Sequence, residues 1–101
     1  MTNKNRLSSA APFAGQFRTA DSVIATKQAD TTILLDLRSG RYYTLNPVSG
    51  LIWSVFATAA SVDNVITRVE EEFDAPHEQL TNDVEEFVGA LLSAELIQPA
   101  N

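Results

Sequence analysis

The hydrophobic rhythm of this chain changes once, at Asn46-Pro47. Ahead of that point lie short runs rich in β-branched and aromatic residues. Behind it, apolar residues recur every three or four positions. The first pattern suits a pleated strand and the second an amphipathic helix. A chain with its strands in front and its helices behind must pack a sheet on a helical layer.

The junction can be read residue by residue. Ser39-Gly40 forms a turn, and Arg41-Tyr42-Tyr43-Thr44-Leu45 reads as a strand. Asn46 supplies a helix N-cap oxygen, and Pro47 fills the first helical position, where a missing N–H costs nothing. Val48, Leu51, Ile52, Val55 and Phe56 then form an apolar stripe, which predicts a helix from about Pro47 to Ala57.

Upstream, Ser22 to Lys27 is a plausible strand and Thr31 to Leu37 a stronger one. In the latter, Ile33, Leu35 and Leu37 share one face, with Thr32, Leu34 and Asp36 on the other. Leu34 breaks strict alternation, so the second face is expected to be partly covered as well. Short turns at Gln28-Ala29-Asp30 and Arg38-Ser39-Gly40 make the three strands an antiparallel meander. Residues 1–20 are polar and aperiodic and read as an N-terminal arm, with Phe13 and Phe17 not required by the core. The folded domain is expected over residues 21–98.

Downstream, Ser61 caps a second helix striped by Val62, Val65, Ile66, Val69 and Phe73. Asp74-Ala75-Pro76 interrupts it. A third helix runs from Pro76 to about Ala94, with Leu80, Val84, Phe87, Val88, Leu91 and Leu92 apolar. Leu96 and Ile97 are expected to fold back into the core. The expected fold class is α+β: an N-terminal three-stranded antiparallel sheet packed on three helices, similar to a winged helix-turn-helix.

Charge and composition remove several functions. Residues 1–50 hold six Lys/Arg against three Asp, whereas residues 51–101 hold one Arg against ten Asp/Glu. An acidic helical half repels phosphate backbones. The third helix offers no Lys or Arg for base edges, so a DNA-binding regulator is the weaker alternative and nucleic acid is not expected as a partner. No cysteine is available as nucleophile, disulfide partner or metal ligand. His77 is the sole histidine, and beside Asp74 and Glu78 it reads as a solvated helix start rather than a metal site. Glu70-Glu71-Glu72 point in different directions on a helix and do not converge on one proton. The four glycines are too scattered for a phosphate loop. No catalytic residue, metal or cofactor is expected. No membrane span or signal segment is visible, and a cytoplasmic location is expected.

Peptide binding remains. Arg41 to Leu45 should lie at a sheet edge, where unpaired N–H and C=O groups can accept a further strand. Tyr42 and Tyr43 face opposite ways, so one can enter the core while the other lines a groove. Periodicity alone leaves open whether the tyrosines and the third-helix stripe simply fill the core. Pairing of two copies through the same edge would give a weak dimer; otherwise a monomer is expected.

The run ILLDLRSGRYYTLNPVSGLIW resembles the signature of PqqD-like proteins, the leader-recognition domains of ribosomally made, post-translationally modified peptides. The matching residues are Leu35-Asp36, Gly40, Tyr42, Leu45-Asn46, Gly50 and Ile52-Trp53. Downstream, Val62, Val65-Ile66, Glu72-Phe73, Asp83-Val84, Phe87, Leu91-Leu92 and Leu96-Ile97 continue the likeness, which spans Ser22 to Ile97. Glu95 departs from it, since the family often has glycine after the last helix. The resemblance implies a non-catalytic adaptor. It would bind a precursor's leader as an added strand and present it to a separate leader peptidase or modifying enzyme, as in lasso-peptide systems. It also implies the site: Arg41, Tyr42, Tyr43, Thr44 and Leu45 on the strand, with Asp83, Val84, Glu86, Phe87, Val88 and Leu91 on the helix. Arg41 would meet a leader carboxylate, and Asp83 or Glu86 a leader cation.

Overall fold

The computed structural model describes residues 13–100. Six strands and three helices follow one another as β1 (Gln16–Thr19), β2 (Val23–Gln28), β3 (Thr31–Asp36), β4 (Arg41–Leu45), α1 (Pro47–Val55), β5 (Ala60–Ser61), α2 (Val62–Glu72), α3 (His77–Ser93) and β6 (Ile97–Pro99). They form two three-stranded antiparallel sheets, ordered β2-β3-β4 and β5-β1-β6, with the three helices.

The first sheet is the expected meander. Ile24 pairs with Leu35 and Leu35 with Tyr42, so each row crosses all three strands. The second sheet was not expected. Gln16–Thr19 is a strand of the body rather than part of an arm, and residues 1–12 of the expected arm lie outside the described residues. Phe17 is buried and meets Phe56 edge-on, with ring centroids 6.4 Å apart. Phe13 packs against the same core. Arg18 pairs with Gln98 across β6, and Phe17 with Ala60 across β5. This returns the chain's end to its beginning, with Leu96 and Ile97 buried as expected.

The buried face of β3 is the reverse of the more apolar one. Thr32, Leu34 and Asp36 are buried, Ile33 and Leu35 are half-buried, and Leu37 is exposed. Two local facts account for this. Gly50 of α1 crosses so near Thr32 that a Cβ there would lie 2.8 Å from its Oγ1. Asp36 is tolerated inside because donors surround it: Ser22 Oγ (3.3 Å), the Arg38 N–H (3.0 Å) and Ser39 Oγ (3.1 Å).

The helix starts follow the side chains that cap them. The Ser49 N–H donates to Asn46 Oδ1 at 2.8 Å, with Pro47 next in line. Ser61 and Asn64 form a reciprocal capping box. α3 begins at His77, because Pro76 keeps an extended ψ of 140° and occupies the cap without a side-chain hydrogen bond. α1 ends at Val55, two residues short of the expected Ala57.

Candidate functional site

β4 is an outer strand: it pairs with β3 on one side, and no other strand among the described residues pairs with its far side. Beside it runs α3. The α3 residues that line cavities on that side are Asp83, Glu86, Phe87, Ala90 and, just past the helix, Ala94. The row 83, 87, 90, 94 has helical spacing and lies one step around from the core row 80, 84, 88, 91. Ala90 and Ala94 are small, which leaves space where a longer side chain would fill it.

Two cavities occur here. One, of about 480 Å³, is lined by Asp36, Arg38, Ser39, Arg41, Tyr43, Ala94 and Glu95. The other, of about 390 Å³, is lined by the α1 start (Asn46, Val48, Ser49, Ile52) and by Asp83, Glu86, Phe87 and Ala90. The first lies between the β3–β4 turn, β4 and the residues just past α3; the second lies between the start of α1 and the middle of α3. The first cavity contains the guanidinium groups of Arg38 and Arg41 together with the carboxylates of Asp36 and Glu95, and the second the carboxylates of Asp83 and Glu86.

The expected site residues divide between cleft and core. Arg41, Tyr42 and Thr44 are exposed, Tyr43 is half-buried and Leu45 is buried. Tyr43 both packs on the core and lines a cavity, while Tyr42 stands 70% exposed on the opposite sheet face beside Leu35. On α3, Asp83, Glu86 and Phe87 line the cleft. Val84, Val88 and Leu91 do not: all three are buried core residues behind it. Their apolar character was visible in sequence, but the core claims it. Arg38, Ala90, Ala94 and Glu95 line the cavities and were not foreseen.

The charges are unevenly satisfied. Arg38 Nη1 donates to Glu95 Oε1 at 2.9 Å, and its Nη2 lies 3.9 Å from Asp36 Oδ2. The ion pairs among the described residues otherwise involve Arg18, Arg68 and His77, so Arg41 stands outside them. Burial alone would raise the Asp36 pKa. The Arg38 N–H, the Ser39 hydroxyl, the Arg38 charge and the Ser22 hydroxyl together outweigh that and hold it below the usual carboxylate value. Asp36 is thus a fixed anion that shapes the turn into β4. His77 pairs with Glu70 across the α2–α3 turn. Among the described residues no three His, Cys, Asp or Glu side chains gather as metal ligands, and no helix is long and apolar enough to cross a membrane.

Two three-stranded antiparallel sheets with three helices, one outer strand bordered by cavities, define a small α+β domain. The sequence pattern of the PqqD family, coenzyme PQQ synthesis protein D, matches residues 31–97. The chain belongs to that family. Two solved structures share its fold. TbiB1 in complex with the TbiA(beta) leader peptide superposes with a TM-score of 0.75 at 24% identity, covering 83% of this chain and 98% of that one. A lasso peptide synthetase B1 complexed with the leader peptide gives 0.71 at 24% identity, covering 82% and 98%. None of the curated proteins compared with the chain matches it.

Proposed function

We propose that this protein is a non-catalytic adaptor that binds the leader of a ribosomally made precursor peptide as a fourth strand on β4. It presents that precursor to a separate leader peptidase or modifying enzyme. The observation that carries this reading is the flank of β4 that no strand among the described residues pairs, with one cavity between Arg41, Tyr43 and the end of α3 and another between the start of α1 and the middle of α3. Both structural neighbours are, by their own descriptions, held with leader peptides. The winged-helix-like frame serves here as a strand-docking frame. The face of α3 toward the cleft bears Asp83 and Glu86, and the helix has no Lys or Arg, which suits a peptide and opposes DNA.

The energetics are adequate. Each well-buried apolar side chain of the leader contributes roughly 1.5–3 kcal/mol. Three such anchors with edge hydrogen bonds offset an ordering term of roughly 2–5 kcal/mol and the cost of association. About 8 kcal/mol net corresponds to micromolar binding. Arg41 meets a leader carboxylate at one end of the cleft, and Asp83 or Glu86 a leader cation at the other. Binding of the peptide and pairing of two copies through β4 exclude each other, so the working form is a monomer, acting in the cytoplasm.

Fluorescence anisotropy of a labelled cognate leader should give a saturable curve. Proline placed through its strand-forming segment should weaken binding about tenfold or more, because each proline removes a ladder N–H. Affinity indifferent to proline at every position would exclude strand addition.

A further inference from the structure

Glu95 sits where glycine is usual. Its φ is +60°, in the left-handed region. The Glu95 N–H donates to Leu92 O at 3.0 Å and the Leu96 N–H to Leu91 O at 2.9 Å, the hydrogen-bond pattern of a Schellman helix end. A side chain at this position strains the backbone, and such strain persists where the surrounding structure holds it. The Glu95 side chain has a partner of its own. Glu95 Oε1 and its carbonyl oxygen both accept from the Arg38 guanidinium, at 2.9 and 3.4 Å. Arg38 therefore reaches from the β3–β4 turn to the end of α3, across 57 residues of sequence.

The polar groups of this cavity are unequally occupied. Asp36 accepts from Ser22, Ser39 and the Arg38 N–H. Ser39 Oγ accepts from the Arg41 N–H, and Glu95 from Arg38. What remains at the half-exposed Arg38 and the exposed Arg41 is donor capacity on two guanidinium groups. Asp36, 3.9 Å from Arg38, and Glu95 balance the two guanidinium charges, so what completes the site is a hydrogen-bond acceptor, and guanidinium forks match carboxylates.

We propose that Arg38, aimed by Glu95, is a specificity-determining residue: with Arg41 it takes an Asp or Glu side chain of the bound leader at this end of the cleft. Glu95 is a positioning residue and not itself a contact. This rests on the leader-binding reading above and adds the chemistry it selects.

The test uses the full chain and a display library of random twelve-residue peptides. Selection on the unaltered protein should enrich strand-forming peptides with Asp or Glu at one fixed place. Replacing that acid by its amide should weaken binding about tenfold, and Arg38→Gln should remove most of that difference. Arg38→Glu should return Lys or Arg at the same place. Arg38→Gln serves in its stead if that variant does not fold, and should lose the acid enrichment. Glu95→Gly relieves the backbone, so it should melt no lower than the parent, yet bind the acidic peptide about two- to tenfold more weakly, because Arg38 must then be ordered during binding. Glu95→Gln, which keeps the acceptor, should restore most of that loss. Peptides enriched without an acid, or an acid preference that survives the Arg38 changes, would overturn this inference and leave leader binding standing. If no strand-forming peptide is enriched, the adaptor reading fails and this one with it.

Discussion

Among the described residues the β2-β3-β4 sheet has two open edges, and they differ in what stands beside them. β4 carries Tyr42-Tyr43-Thr44 at its centre, shares a cavity with the end of α3 at Arg41 and Tyr43, and leads at Asn46 into a second cavity lined by Asp83, Glu86, Phe87 and Ala90. β2 is exposed from Ile24 to Gln28 and overhangs α1. Beneath it is a cavity of about 460 Å³, lined by Ala25, Lys27, Thr32, Leu51, Trp53 and Phe73 among others. By size alone the two sides are equivalent. They differ in chemistry. β2 ends in Thr26-Lys27-Gln28, and a lysine on an edge is a common guard against unwanted strand pairing. β4 places no lysine in the way, and its one cation, Arg41, sits at the strand's first position. An unpaired edge is therefore not a binding site by itself. On the adaptor reading, β4 serves as one because cavities border it and no lysine guards it.

The largest expected effect concerns what the two edges share. Leu34 is wholly buried in the central strand, and Leu34→Ala should lower stability by about 2–5 kcal/mol in urea unfolding. Both cavities should suffer together. If peptide affinity survives such a loss undiminished while the chain is still folded, β4 does not depend on its own sheet.

The next test separates the edges. Phe87 lies half-buried on the β4 side, and Leu51 half-buried on the β2 side. Phe87→Ala should weaken leader binding about tenfold, or ~1.4 kcal/mol. Leu51→Ala should leave affinity within about twofold, the scatter of a contact with no share in the interface. Anisotropy on both variants decides it, and the opposite ranking would move the site to β2.

How far these contrasts could be read from sequence depends on distance along the chain. Asn46-Pro47 and Ser61 mark helix starts by local capping chemistry, and both are where the sequence puts them. The meander was legible for the same reason: its turns are short. β1 was not, because it is four residues long and its partners are β5 and β6, far off in sequence. Leu34 hinted that the second face of β3 is covered, but not that it is the more buried one, because Asp36 is admitted by donors from Ser22, Arg38 and Ser39, which no hydropathy pattern registers. On α3 the family resemblance pointed to Val84, Val88 and Leu91, which serve the core, as the apolar stripe alone allowed. The cleft row instead mixes Asp83, Phe87 and two alanines, a pattern that becomes meaningful only once β4 is known to lie opposite.

A smaller effect should follow acid titration, because Asp36 holds the turn on the β4 side through Arg38 and Ser39 and touches the start of β2 only through Ser22. Its folded pKa is lowered, so its contribution is complete above the unfolded-state pKa. That contribution drains away as the pH falls through the lower folded value. Asp36→Asn should therefore lose stability near neutral pH and lose part of the acid-side slope in the stability profile. An unchanged slope would mean that the four interactions around Asp36 hold the acid as well as its anion.

The smallest expected effect is the most diagnostic of the two edges. Lys27 is exposed on β2, outside the ion pairs found among the described residues. Lys27→Thr should change stability by less than about 0.5 kcal/mol, the usual range for a surface site. It should also leave leader affinity at β4 untouched. What it removes is the guard, so the variant should self-associate at concentrations where the parent stays monomeric, as sedimentation velocity would detect. A leader peptide should not reverse that association, because the peptide occupies β4 and the new contact forms at β2. If the leader does dissolve the dimers, the two edges compete for one partner, and the distinction between them fails.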